Sequence, residues 1–240
     1  MQDEQLLAGV RELRAAGAST NHIARVLGVP RGRIAPLVRE LGREERPRAA
    51  EPPVLGCWVS AGWSAGLTVD AARSWPDGQR SPTVPVSGLV GVLVARGPRS
   101  TGGEVSACGY LVDTYCLGVK DALPPRRMRE RRLPDFVDRF FDGFGTAPVE
   151  APIELARHLV WGAVEYARGL GFEPHPDLRL AAGHLGPLTE PCAIGFGRDG
   201  KPYYVQGLSD DPDRVLRTLH RTVGQDNYHF LVGVDAFELA

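Results

Sequence analysis

Residues 43–53, REERPRAAEPP, place the strongest limit on how this chain folds. Six of the eleven are charged, three are proline, and only two alanines are apolar. Such a stretch has nothing to bury, and its prolines stiffen it, so it reads as a semi-rigid linker. The expected division is a small domain at 1–42, a linker at 43–56 and a larger domain at 57–240. Charge divides at the same place. Residues 1–50 carry nine Arg against six acids, whereas the remaining 190 carry 19 basic against 23 acidic residues. A small basic module therefore precedes a larger, mildly acidic one. With 240 residues, 43% apolar and 24% charged, the larger part has enough material for its own core, which excludes global disorder.

Helical periodicity is clear before the linker. Leu6, Leu7, Val10 and Leu13 fall on one face, and Gly17 suits the end of that helix. Ser19 or Thr20 can N-cap a second helix, NHIARVLG; Gly28-Val29-Pro30 makes a tight turn. Ile34, Leu37, Val38 and Leu41 then give a third helix its apolar face. Pro36 lies inside that helix, where its missing N–H leaves the Gly32 carbonyl unpaired and its ring favours a kink.

Three short helices with turns this tight form a helix-turn-helix unit. The run GASTNHIARVLGVPRGRIAPLVREL resembles the homeodomain-like helix-turn-helix of bacterial regulators, with Ala24 as the small residue of the second helix, Gly28 in the turn and hydrophobic Val29 after it. That resemblance implies DNA as a partner. It places Arg31, Arg33 and Arg39 on or near the helix that would enter the major groove.

Beyond the linker the signals are mixed. Residues 54–88 show no sustained period and read as irregular, with one or two short strands. LVGVLVARG and VSACGYLVDTYCLGV read as a hairpin, the second as a long central strand. Helices are expected at 134–144, 152–171 and 211–224, a hairpin turn at Asp199-Gly200, and a final strand, YHFLVGV, completing the sheet. Strands and helices follow no repeating βαβ rhythm, so the expected class is α+β with a mainly antiparallel sheet.

The basic residues comprise 26 Arg and two Lys, Lys120 and Lys201, and both lysines sit beside strand-flanking polar motifs. LVDTYCLGVKDA puts Asp113, Cys116, Lys120 and Asp121 within nine residues. A carboxylate on an apolar strand needs a partner. Asp113, Lys120 and Asp121 are therefore the catalytic candidates, with Lys120 able to stabilise a developing anion. Asp113 with Asp121 or Glu104 offers oxygen ligands, yet no metal site is assigned. Against this stands a structural reading in which Asp113 ends the buried strand and Lys120-Asp121 is a surface turn.

GVKDALPPRRMRERRL also resembles the Gly-x-Lys-Asp segment of type 2 ribonucleases H. Val94 and Ala95 stand where that family carries its metal-binding Asp-Glu pair, so its two-metal chemistry has no anchor here.

Candidate phosphate or ligand contacts are Arg126, Arg127 and Arg129 in RRMRERR, His175 in the rigid PHPD loop, and Lys201 beside Tyr203 and Tyr204. Four cysteines, Cys57, Cys108, Cys116 and Cys192, have no C-x-x-C pairing and read as reduced thiols. The chain begins without a leader-like pattern and holds no apolar run long enough for a membrane span, so a cytoplasmic protein with no membrane partner is expected. The leading expectation is a DNA-binding transcriptional regulator with a C-terminal ligand-sensing or assembly domain; a small-molecule ligand and a homodimer are partners it allows. An enzyme acting on nucleic acid or a phosphorylated substrate, and a protein-interaction module, are the alternatives. No cofactor is specified.

Overall fold

A computed structural model describes residues 2–15, 18–44, 52–78, 87–98 and 102–233, with only the backbone at 2–5, 14–15 and 39–44. The chain divides into two compact units, Met1–Glu51 and Pro52–Ala240.

The first unit holds three helices: α1 (Gln2–Ala15), α2 (Thr20–Val26) and α3 (Arg31–Glu44). Ser19 is the N-cap of α2, its hydroxyl accepting the His22 N–H at 3.3 Å. Gly28 adopts φ +65°, a left-handed conformation that glycine takes without a Cβ penalty, and this closes the turn into α3. Val10, Ile23, Ile34 and Val38 are buried together, one or two from each helix. Each contributes about 1.5–3 kcal/mol by leaving water. Pro36 lies inside α3 on its exposed side.

In the second unit, β1 (Val54–Ser60), β3 (Leu89–Arg96), β4 (Glu104–Asp113), β5 (Gly118–Arg129) and β6 (Pro148–Glu150) form an antiparallel sheet in the order β5-β4-β3-β1-β6. The two-residue strand β2 (Thr68–Val69) lies outside it. The sheet is covered on both faces, which explains why β3 reads as an unbroken apolar run. Alternation along it divides the side chains. Val90, Val92 and Val94 join the cluster that includes Leu155 and Leu159 of α5 (Ile153–Gly169) and Leu178 and Leu185 of α6 (Leu178–Leu185). Leu93 and Ala95 meet Val137 and Phe141 of α4 (Leu133–Phe141) on the other side. Gly109 makes that second contact close: a Cβ there would lie 2.3 Å from the Phe140 ring. The aromatic face of α4 therefore sits directly on the sheet backbone.

Two smaller pairs complete the unit. β2 pairs antiparallel with β7 (Ile194–Gly195), and β8 (Tyr203–Val205) pairs parallel with β9 (His229–Leu231). Helix α7 (Pro212–Val223) is capped by Asp211, which accepts the Arg214 N–H, and packs Val215 and Leu219 against Leu170, Tyr204 and Cys116.

Several sequence expectations are corrected. The one or two short strands expected in 54–88 are placed: residues 54–60 form a strand paired on both edges, and residues 68–69 form a two-residue one. The long strand VSACGYLVDTYCLGV breaks at Thr114–Leu117, where the chain reverses into β5. The strand at 229–231 pairs with β8 instead of completing the main sheet. Within RRMRERR, Arg126–Arg129 end β5, and Glu130–Arg132 form a 3₁₀ turn. Within the stretch read as linker, α3 extends to Glu44 and β1 starts at Val54. Helix α6, whose LRLAAGHL segment has weak signals, was not anticipated.

Candidate functional site

The candidate surface of the first unit is the start of α3. Arg31 and Arg33 are exposed there, while Ile34 and Val38 of the same helix turn into the core. His22, Arg25 and Arg11 are exposed as well. The backbone at Arg39 continues α3, but its side chain lies outside the described residues.

In the second unit the three catalytic candidates have separate partners. Asp113 is 3% exposed and accepts three backbone N–H groups: Tyr115 at 2.9 Å and Cys116 at 3.0 Å on Oδ1, and Leu117 at 3.1 Å on Oδ2. It is the residue that folds the β4–β5 turn. Burial pushes its pKa up to about 6; the turn N–H groups and nearby Lys120 pull the other way.

Lys120 points to a different chain segment. Its Nζ donates to Asp210 Oδ2 at 2.7 Å, and the same oxygen accepts the Gly207 N–H at 2.8 Å. The buried Tyr204 hydroxyl lies near this carboxylate, and among the described residues neither it nor the buried Tyr166 hydroxyl has a hydrogen-bond partner of good geometry. Desolvation pushes the pKa values of both tyrosines up.

Asp121, next along β5, makes its contact elsewhere. Its Oδ1 lies 3.7 Å from Nδ1 of His175. Thus the structure brings together Asp121 and His175, two candidates from distant motifs, and gives Asp113, Lys120 and Asp121 three different sets of contacts.

The remaining candidates are surface groups. Arg126, Arg127 and Arg129 are exposed at the end of β5; Arg126 lies over the Phe136 ring at 5.8 Å, and Arg127 is 3.9 Å from Glu104. Lys201 is exposed and bridges to Arg198 across the Asp199-Gly200 turn, in which both residues have positive φ. This is the hairpin-turn geometry that an Asp-Gly pair favours. Arg198, rather than Lys201, lies over the Tyr203 ring, at 5.0 Å.

Sequence reading passed over a polar network around α5. His158 is fully buried; its Nδ1 accepts the Ala193 N–H at 3.1 Å, which leaves Nε2 to donate to Glu190 at 3.1 Å. Arg73 reaches the other Glu190 oxygen at 2.6 Å and covers Trp75, whose ring stands 5.0 Å from the imidazole. Hydrogen bonds from Arg73 and then His158 hold the Glu190 carboxyl below its usual range. Helical spacing sets Glu154 one turn from His158 and suggests a solvated pair, but His158 is buried and its partners, Glu190 and the Ala193 N–H, come from a distant segment.

Two cavities adjoin these elements. One of about 240 Å³ is lined by Ser60, Trp63, Leu89, Tyr115, Phe144 and Thr146 among others, with no Asp, Glu, Lys, Arg or His among the described residues of its wall. The other, about 740 Å³, runs along α5 between Trp161, Tyr166, Glu190, Cys192 and Phe196. Cys192 is exposed, whereas Cys57, Cys108 and Cys116 are buried. Burial pushes the Cys57 and Cys108 thiols up to about 12, which rules them out as ready nucleophiles. Among the described residues no helix is long and apolar enough to cross a membrane.

Comparison with protein-family models, with curated proteins and with solved structures found no match, and the functional reading therefore rests on the chain's own residues.

Proposed function

We propose that this chain is a DNA-binding protein of the transcription-regulator type, in which α2 and α3 act as a homeodomain-like helix-turn-helix and the second unit serves as a ligand-sensing or assembly domain. The observation that carries the reading is the division of α3: Arg31 and Arg33 are exposed on its first turn while Ile34 and Val38 are buried. Guanidinium groups at that position match guanine edges and phosphates. Residues 1–50 carry three more basic than acidic residues, which favours a polyanion. The exposed row Arg126, Arg127 and Arg129 would add phosphate affinity without sequence preference. For the second unit, support comes from the 240 Å³ cavity, whose described wall of aromatic side chains and hydroxyls suits a small molecule. Electrophoretic mobility shifts with genomic fragments, run across salt concentrations, test the reading. A shift weakened by Arg31→Ala with Arg33→Ala supports it, and no shift at low salt for either protein removes it.

A further inference from the structure

Strand β5 is an edge of the sheet, and the Pro-flanked segment Pro174-His175-Pro176 lies against it: the His175 N–H donates to the Val119 carbonyl at 2.9 Å. That backbone bond fixes the imidazole beside Asp121. Two residues further on, Asp177 begins α6 at the N-cap position, yet its side chain makes no capping hydrogen bond. Among the described residues its carboxylate has no other hydrogen-bond or ion-pair partner. One donor atom each from Asp121, His175 and Asp177 lies within 4.8 Å of the other two.

The His175 Nδ1 lone pair accepts the Asp177 N–H at 3.3 Å, a long contact that a metal ion bound at that nitrogen would replace. Two carboxylates at this separation repel, and a divalent ion between them would offset that repulsion. Three donors each about 2.1 Å from a tetrahedral metal stand about 3.4 Å apart, so a pair at the 4.8 Å limit closes by about 1.4 Å. The partly or fully exposed side chains permit such shifts.

We propose that Asp121, His175 and Asp177 form a divalent-metal site of two carboxylates and one imidazole on the edge of β5. Nitrogen and oxygen donors without thiolate select Mn²⁺, Fe²⁺ or Zn²⁺ over soft ions. Three protein ligands leave coordination positions open to water. The site is independent of the DNA-binding reading, since none of its residues belongs to the first unit.

Titration calorimetry of the full chain, stripped with chelator and titrated separately with MnCl₂ and ZnCl₂, tests the proposal, with thermal unfolding followed alongside. The expected result is one ion per chain for at least one metal, together with a raised Tm. Asp121→Asn, His175→Gln and Asp177→Asn should each weaken binding at least about tenfold, while Glu173→Gln in the same loop leaves it unchanged. Circular dichroism checks that the variants fold; Asp121→Asn, at an exposed strand position, provides the readout should His175→Gln disturb the loop. Absence of saturable binding of either metal at about 1 mM, or full binding by a His175→Gln, Asp177→Asn double variant, overturns it.

Discussion

Lys120 and Asp210 lie ninety residues apart in sequence, and their side chains meet at 2.7 Å with only 16% and 11% of their surfaces exposed. The pair ties β5 to the loop ahead of α7, and Asp210 fixes that loop further through the Gly207 N–H. One half of such a pair cannot be removed cheaply.

Replacing Lys120 by Met leaves the Asp210 charge without its partner. In a dry interior this costs about 3–5 kcal/mol; the remaining exposure admits water, so the expected loss is about 2 kcal/mol. Urea denaturation measures it. Lys120→Met with Asp210→Asn should lose less than the sum of the single variants, because the uncompensated charge is gone. Strict additivity would show that the pair has no energetic coupling.

Asp113 gives the fold a pH dependence of definite sign. Its pKa is raised from 3.8 to about 6, so between these values the folded chain holds a proton that the unfolded chain has released. The stabilisation is complete below about pH 4 and disappears as pH rises through about 6, with a ceiling of about 3 kcal/mol. Asp113→Asn keeps one acceptor oxygen but turns an amide toward the Leu117 N–H, which costs about 1–3 kcal/mol at every pH. The stability of the wild-type protein relative to this variant should therefore fall between pH 4 and pH 7 in denaturant titrations. A constant difference would mean that the carboxyl does not titrate in this range.

Thiol reactivity should separate the four cysteines. Cys192 is exposed, and although desolvation raises its pKa, it is the one thiol in the set that reagent can reach without opening the fold. An aromatic disulfide reagent at neutral pH should titrate one thiol quickly, and Cys192→Ser should abolish that phase. The other three should appear only in denaturant. Fast release of two or more equivalents from native protein contradicts the burial of Cys57, Cys108 and Cys116.

For the first unit, the double variant Arg31→Ala, Arg33→Ala should lower DNA affinity at least about tenfold. If both side chains contact phosphate, the slope of log affinity against log salt should shrink by about two. A loss of affinity with an unchanged slope would instead place the arginines on bases. Fluorescence anisotropy over a salt series distinguishes the two.

What could be read from the sequence followed the range of the interactions. The face of α1, the Ser19 cap, the Gly28 turn, the periodicity of α5, the Asp211 start of α7 and the Asp199-Gly200 turn each depend on residues within a few positions of one another. Those signals survive because capping and turn chemistry are local. Strand β1 was expected among the short strands of 54–88 but not placed, because a strand buried on both faces lacks alternation, and α6 was missed because its LRLAAGHL segment is short and weakly patterned.

The sites divide in the same way. The amino-acid sequence by itself picked out Asp113, Lys120, Asp121 and His175 as residues whose charge or stiffness needed explaining, and it determined that the chain carries a small basic module and a larger α+β one. Only the tertiary structure decided their partners. Asp113 took the turn backbone, Lys120 took Asp210, and Asp121 met His175. Adjacent residues on a strand point to opposite faces, so neighbours in sequence acquire unrelated surroundings, and the packing of distant loops against an edge strand supplies them.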